Sequence, residues 1–341
     1  MSLRLRFDPW ATEYNTAFHA EDAPVEEKVN VDTAVEYKGW QAVSPRENQS
    51  PFEQLLFVDG TRRLEARVLL EDDLRQVAFG ALGSFGIGVV DCCSFGSRKA
   101  TFVDLNTLGL SSINRICTLS SGRTLDDFSL GTSLKHRLGE LRYRIESTDK
   151  RDADAVARQL QFVMLKEESR LASRLIDNFP QALIVTDGPL PRMGFVKNIV
   201  GYVKTIHQIP ITEAQMEVVR GLEEGQRSPL YLVTGNDKSQ QYFEWFLRLR
   251  DPNPWLYSLA GMVRLQAYAS LRPEERLDEV VAIADWLTLS LRHFASKQYQ
   301  DPRAPQQLLP VRALESDLRR KMGDASIVRR RIMRYLRASA A

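Results

Sequence analysis

Several features that would place this sequence in a specialised protein class are absent or rare. No run approaches the ~20 apolar residues that a membrane-spanning helix needs, and residues 1–6 are not followed by the apolar core of a signal peptide. Cys92, Cys93 and Cys117 are too few and too poorly spaced for a disulfide framework or a zinc site. The four histidines are scattered along the chain. We therefore expect a cytoplasmic protein without a membrane segment.

An excess of charge of one sign is also missing. The 341 residues include 46 Lys and Arg against 44 Asp and Glu, which leaves a formal net charge of +2. This balance excludes a disordered acidic chain and a histone-like basic one, and 43% hydrophobic residues are enough for a large core. Nucleic-acid binding stays open, because local patches of charge matter more than the net charge.

The chain is organised as a polar N-terminal segment followed by one main domain. Residues 1–51 are expected to form an arm or short helices that pack on the domain over 52–341. Short apolar or alternating runs, which are typical of strands, occupy 55–58, 64–70, 79–90 and 141–145. Asp59-Gly60 separates the first two runs and predicts a turn between them. The glycine-rich run at 83–88 lacks the spacing of a dinucleotide-binding loop and is interpreted as a strand.

A long amphipathic helix is predicted over 152–179, where apolar residues recur every three or four positions until Pro180. Further elements complete the pattern: strands at 182–186, 199–205, 229–234, 242–250 and 261–268, and helices at 273–294, 311–323 and 327–337. The predicted elements begin with strands, continue with alternating strands and helices, and end with helices. This order predicts an α/β fold, with a mixed β-sheet flanked by helices and extra helices at the C-terminus.

Two aspartates that end similar apolar runs are the strongest functional signal. Asp59 follows LLFV and Asp187 follows LIVT, each before a glycine that lets the chain turn and a phosphate approach closely. A common turn dipeptide explains either one alone. On the long helix, Glu167 falls inside the apolar stripe and Glu168 at its border. A glutamate there must extend its carboxylate to solvent, pair, or face a polar cleft, and a surface acid at the edge of the stripe is the alternative interpretation. Two aspartates and one such glutamate would form an all-oxygen site for Mg²⁺ or Mn²⁺, ions that support phosphodiester hydrolysis.

Two further polar residues follow the second aspartate. Lys204 and His207 lie at the end of the next predicted strand, where they could meet a phosphate. Solvated surface side chains are the alternative interpretation for both.

The sequence around these residues resembles the NurA family of DNA-repair nucleases. The likeness rests on FVDGTRRLEAR at 57–67, LIVTDGPL at 183–190 and VGYVKTIHQ at 200–208. Later segments resemble the bacterial branch of the family: EGQRSPLY at 224–231, EWFLRL at 244–249, GMVRLQAY at 261–268 and QQLLPVRALESDLRRKMGD at 306–324. The similar segments are collinear from about residue 52 to residue 324.

This resemblance implies a ribonuclease-H-like sheet and a Mn²⁺-dependent nuclease, with Mg²⁺ as a possible substitute. It implies single-strand endonuclease and 5′-to-3′ exonuclease activity in DNA end resection and double-strand break repair. It also implies a homodimer that works with a HerA-type hexameric ATPase translocase, in the cytoplasm at the nucleoid. The family aspartates fall on Asp59 and Asp187, the helix glutamate on Glu168 or Glu167, and the lysine on Lys204.

One departure from the family leaves two functions open. Better-known archaeal members carry a C-terminal tyrosine and histidine near the metal, whereas the corresponding stretch here, 305–315, contains no histidine. Gln306, Gln307 and Glu315 are the candidates to replace it. The intact Asp59 and Asp187 favour an enzyme. The missing histidine favours a catalytically weak or silent DNA-binding adaptor for the translocase.

The last predicted helix, within 324–341, is strongly basic. Its arginines alternate with apolar residues, so we expect one face to pack on the domain and the arginines to point outward. Its function would be a positive lining that guides DNA or, following the family resemblance, a docking edge for the translocase. A solvated helix, or C-terminal arginines that complement the helix dipole, is the alternative. The residues expected to contact DNA are Arg62, Arg63, Lys204, His207, Arg330 and Arg331.

Overall fold

The computed structural model describes residues 4–7, 30–46, 52–71, 77–92, 99–131, 139–191, 195–204, 210–235, 241–251 and 258–338, and at 4–7 the backbone alone. The strands in these ranges are β1 (Arg4–Phe7), β2 (Asn30–Asp32), β3 (Gln54–Glu71), β4 (Val77–Asp91), β5 (Thr101–Phe102), β6 (Ile113–Leu119), β7 (Phe128–Leu130), β8 (Leu141–Ser147), β9 (Ala182–Asp187), β10 (Ile199–Val203), β11 (Tyr231–Thr234), β12 (Gln241–Arg248) and β13 (Met262–Tyr268). The α-helices are α1 (Ala153–Asn178), α2 (Glu213–Arg220), α3 (Pro273–Leu291), α4 (Leu309–Met322) and α5 (Ala325–Ala338).

The strands form one mixed sheet, in the order β2-β11-β12-β13-β10-β9-β3-β4-β6-β8-β7, with β1 beside β3 and β5 beside β4. Strands β3, β9 and β10 run parallel in its middle. An antiparallel β3-β4-β6 meander lies on one side, and the antiparallel strands β13, β12, β11 and β2 lie on the other. Helices pack on both faces. The expected α/β class, with a mixed sheet flanked by helices, is therefore confirmed.

The prediction of a turn at Asp59-Gly60 is wrong, because β3 runs without interruption from Gln54 to Glu71. Its antiparallel partner is β4, so that Asp59 pairs with Gly88 and Gly60 with Ile87. The two short strands expected at 55–58 and 64–70 are halves of one long strand. Pairing with β4 overrides the local turn propensity of Asp59-Gly60. A pattern among neighbouring residues does not reveal this partner strand.

Alternation along β3 assigns its side chains to the two faces of the sheet. Leu56 and Val58 pack in the cluster that contains the apolar side of α1. Leu55 and Phe57 pack in the cluster that contains α3 and α4. Because successive strand residues point to opposite faces, Asp59 belongs to the α4 side and Gly60 to the α1 side.

Helix α1 confirms the long helix expected at 152–179. The Asp152 side chain accepts a hydrogen bond from Ala155 N and caps the first turn, and the helix ends at Asn178. Its buried residues form a stripe along the side that faces the sheet: Val156, Leu160, Val163, Met164, Leu171 and Leu175.

Glycines in β4 let α4 lie close to the sheet. A Cβ atom at Gly88 would lie 2.6 Å from Leu314 Cδ1, and one at Gly86 would lie 3.1 Å from Leu318 Cβ. The glycine-rich run is thus a strand, as expected, and its missing side chains make room for a helix. Since Gly88 is also the ladder partner of Asp59, this close packing brings the α4 residue Glu315 towards that aspartate.

The described parts of the first 51 residues contain strands rather than the short helices that were one expectation. Strand β1 pairs with β3, and β2 pairs with β11. Helix α5 follows the expected amphipathic pattern, with Val328, Ile332 and Leu336 buried against the far half of β3. Within the described ranges, the helices are too short or too polar to cross a membrane.

Candidate metal centre

Asp59 and Asp187 lie side by side on neighbouring parallel strands. The register pairs Val58 of β3 with Thr186 of β9, so the two aspartates are the next residues along each strand. Strand β9 ends at Asp187, and Gly188 then adopts a φ of 101° that a residue with a side chain rarely takes. Gly188 N donates to Tyr202 O at 2.9 Å. This turn holds Asp187 at the carboxyl end of the parallel strands.

Helix α4 supplies a third carboxylate to the same place. One carboxylate oxygen each from Asp59, Asp187 and Glu315 lies within 4.8 Å of the other two. Glu315 is nearly buried and stands one helical turn beyond Val311, a core residue of the same helix. The sequence had suggested it only as one of three candidates to replace a histidine. The third carboxylate of the cluster therefore comes from α4.

Lys204 and Gln307 connect the carboxylates. Lys204 Nζ donates to Asp187 Oδ2 and to Gln307 Oε1, at 2.6 Å in each case. Gln307 Nε2 donates to Glu315 Oε1 at 3.2 Å. Lys204, Gln307 and Glu315 thus form a continuous chain of hydrogen bonds from the second aspartate to helix α4. Of the three residues suggested to replace the histidine, Gln307 and Glu315 reach the cluster through their side chains, while the Gln306 carbonyl accepts from the Tyr202 hydroxyl at 2.7 Å.

Glu168 approaches the cluster from the opposite face of the sheet. A Cβ atom at Gly60 would overlap Glu168 Oε1, so the carboxyl group occupies the space that the glycine leaves empty. The side chain as a whole is partly exposed, but its carboxyl group is enclosed by protein atoms. Burial, and then the negative charge of Asp187, raise the pKa of Glu168 to about 8.

Glu167 points elsewhere. Its carboxylate lies 3.9 Å from Arg144 NH2 and 3.6 Å from Arg170 NH1, in ion pairs on the outer part of α1. Of the two glutamates predicted as alternatives, Glu168 is close enough to Asp59 for its charge to raise the pKa of that aspartate, while Glu167 stays in these pairs. The three carboxylates within 4.8 Å of one another are those of Asp59, Asp187 and Glu315.

The cluster has the electrostatic character of a cation site. Asp59 is nearly buried, and its Oδ2 has no hydrogen-bond partner in the described part of the chain. Burial and the nearby Asp187 raise its pKa well above the ordinary value, although Lys204 opposes this effect. Several carboxylates that face one another are unfavourable without a cation between them. An all-oxygen donor set with one unsatisfied oxygen fits Mg²⁺ or Mn²⁺, so these residues fit the expected metal.

Glu315 differs from the other carboxyl groups because arginines surround it. Arg303 donates to both of its oxygens, at 3.0 and 2.9 Å. Burial raises the pKa of Glu315, but the hydrogen bonds from Arg303 outweigh this effect and hold that pKa below its ordinary value. Glu315 is thus compensated by an arginine, as Asp187 is by Lys204, while Asp59 accepts no such ion pair in the described part of the chain.

The arginines expected to bind DNA have different surroundings. Arg62 lies close enough to Glu168 to oppose the rise of its pKa. Arg63 NH1 donates to Gly323 O at 2.8 Å, and Arg331 donates to Leu130 O and Gly139 O at 2.9 Å each. Arg330 is exposed on α5. His207 lies outside the described residues.

No family model matches this sequence, and no curated protein matches it at a significant level. The likeness of the segments around Asp59 and Asp187 to a nuclease family therefore stays a prediction.

Proposed function

We propose that this protein is a metal-dependent nuclease that hydrolyses phosphodiester bonds in DNA, with Mn²⁺ as its cofactor and Mg²⁺ as a substitute. The observation that carries the proposal is the meeting of Asp59, Asp187 and Glu315 within 4.8 Å, at the end of the parallel strands. A lysine contacts this cluster directly, since Lys204 Nζ lies 2.6 Å from Asp187 Oδ2. The carboxylates are suitable ligands for a hard metal ion, and the neighbouring ammonium group of Lys204 is suitable for a phosphate, so the site can bind both together.

Each residue has a defined part in this chemistry. Asp59, Asp187 and Glu315 would hold the metal, which when bound activates water and stabilises the leaving oxygen of a phosphodiester. Lys204 donates to the phosphate and offsets its developing negative charge, and Gln307 fixes the lysine in place through the 2.6 Å bond. Glu168 carries a proton at neutral pH in the metal-free protein, as a group with a pKa of about 8 does.

The ribonuclease-H-like sheet implied by the family resemblance is part of the same proposal. It is supported by the antiparallel β3-β4-β6 meander, to which β9 and β10 are added in parallel on the other side of β3. In this arrangement the first and fourth of these five strands each present an aspartate at the same edge. The family resemblance alone is the basis for the remaining parts of the proposal, which are a homodimer, a HerA-type translocase as partner and a location at the nucleoid.

A catalytically weak or silent DNA-binding adaptor is the second candidate, and one observation favours it. Lys204 and Arg303 already pair with Asp187 and Glu315, so two of the three carboxylates are neutralised within the protein. Such a cluster would be held together without a metal, and its residues would then support the fold and DNA binding alone.

Incubation with end-labelled single- and double-stranded DNA in Mn²⁺, Mg²⁺ or chelator distinguishes these functions. We expect metal-dependent cleavage that Asp59→Asn reduces by more than about 100-fold, because even residues that only support a metal ligand contribute about 10- to 100-fold. Asp126→Asn, an equal change at an exposed aspartate, is the matched control and should cleave normally. DNA binding without cleavage in any metal would favour the adaptor. Near-normal cleavage by Asp59→Asn would refute the site.

A further inference from the structure

Two arginines stand on the outer side of Glu315. Arg303 NH2 lies 2.9 Å from Glu315 Oε2, and Arg319 NH2 lies 3.7 Å from the same oxygen. The Glu315 side chain is only 10% exposed, whereas those of Arg303 and Arg319 are 48% and 64% exposed. The two guanidinium groups therefore lie between the carboxylate cluster and solvent.

These arginines belong to a basic surface that begins at the cluster and follows α4. Arg312, Glu315 and Arg319 are three and four residues apart, which places them on one side of the helix. Arg319 Nε also donates to Thr61 Oγ1 at 3.4 Å. Thr61 is two residues beyond Asp59 on β3, so the two side chains share one face of the sheet. Arg319 thus marks where this surface meets the strand that carries the first aspartate.

The basic surface along α4 carries more positive charge than the neutralisation of its own acidic residues requires. The two acidic residues of this surface, Asp301 and Glu315, face three arginines, since Arg312 Nε lies 3.5 Å from Asp301 Oδ2 and Arg303 contacts both acids. Arg303 donates to both acids through all of its nitrogens, so its hydrogen bonds are committed to them. One cation is left over in a place where a phosphate would pass. Within the described ranges, the guanidinium group of Arg319 keeps its two terminal nitrogens for solvent and can offer the parallel donors that bind a phosphate with two hydrogen bonds.

Another arginine near the cluster serves the fold instead. Arg63, four residues beyond Asp59 on β3, donates to the backbone carbonyls of Gly323 and Met322. Arg319, in contrast, has its carboxylate neighbour only at 3.7 Å and its largest part in solvent.

We propose that Arg319 binds the backbone phosphate adjacent to the phosphate that enters the carboxylate cluster, on the same DNA strand, and that Arg303 adds positive charge beside it. The assignment rests on the proposed nuclease function and adds a binding surface on α4 to it. The strand then lies along α4, from Lys204 past Glu315 to Arg319. Because Arg319 contacts a phosphate and not a base, the binding is independent of DNA sequence.

The test measures how the affinity for a fluorescently labelled single strand depends on salt, in chelator so that no cleavage interferes. Arg319→Ala should lower the slope of log affinity against log salt by about 0.7, the value for one lost phosphate contact on single-stranded DNA. Arg320→Ala is the matched control. Arg320 lies in the same last turn of α4, is 79% exposed and pairs with Asp317 at 2.5 Å, so its loss changes the net charge equally.

The slope for Arg320→Ala should equal that of the wild type. Equal slopes for Arg319→Ala and Arg320→Ala would overturn the proposal, whether both fall or neither does. In that case, cleavage by the wild type in Mn²⁺ would leave the nuclease proposal standing. A wild-type protein that neither binds nor cleaves DNA would refute both. Equal melting temperatures for the two variants check that neither change acts through folding.

Discussion

Replacing Glu168 with glutamine should stabilise the metal-free protein, and the gain should increase with pH. The Glu168 carboxyl group is enclosed next to Gly60 and close to Asp187, and its pKa is raised to about 8 from an ordinary value of 4.5. Glutamine keeps the shape that fills the space over Gly60. It cannot ionise, so it removes the cost of placing a negative charge there.

The size and sign of the effect follow from the two pKa values. Between pH 4.5 and about pH 8 the folded protein keeps the Glu168 proton, whereas the unfolded chain has lost it. The free energy of unfolding of the wild type therefore decreases as the pH rises through this range. One pKa unit corresponds to about 1.4 kcal/mol, which sets an upper limit of about 5 kcal/mol at pH 8 and above. Since the side chain has some contact with water, we expect about 2 to 4 kcal/mol.

Urea unfolding of the two proteins at pH 5 and pH 8.5, in chelator, measures this difference. Other ionisable groups are common to both proteins, so their titration largely cancels in the comparison. Glu167→Gln is the control, because it removes only the ion pairs with Arg144 and Arg170 and should change stability by less than about 1 kcal/mol. A stability difference between Glu168→Gln and the wild type that is the same at both pH values would refute the enclosed position of the Glu168 carboxyl group over Gly60.

Three further substitutions, and one control, test other parts of the molecule. Lys204→Ala should slow cleavage and lower the salt slope of DNA binding by at most about one, and an unchanged rate and slope would limit Lys204 to its bonds with Asp187 and Gln307. Gly60→Ala should displace Glu168 and weaken Mn²⁺ binding, measured by calorimetry, by about 10- to 100-fold. Gly39→Ala, where no atom lies within 4 Å of the new Cβ, should leave Mn²⁺ binding unchanged. Ile332→Ala should cost about 2 to 5 kcal/mol in urea unfolding, because this residue is fully buried on α5.

Much of the local structure could be predicted from the sequence, because it depends on short-range patterns. The apolar stripe of α1 and the alternation or apolar runs of β4, β8 and β9 are readable from residues a few positions apart. The same local patterns single out Asp59 and Asp187, because each is a charged residue that directly follows an apolar run typical of a buried strand. Parallel pairing of β3 with β9 then places the two aspartates together, as a site at strand ends requires.

Tertiary structure alone decided which other residues join them. Helical periodicity places Glu167 inside the apolar stripe and Glu168 at its border, which does not decide between them; the open space over Gly60 makes that choice. Glu315 arrives only because Gly86 and Gly88 let α4 pack closely on β4. The extent of β3 past Asp59 likewise depends on its long-range partner β4. In each case the deciding contact joins residues that are far apart in the chain. Its physical cause is either the close approach of another segment to a glycine or the pairing of distant strands. Neither cause produces a pattern among neighbouring residues, so the sequence alone does not predict it.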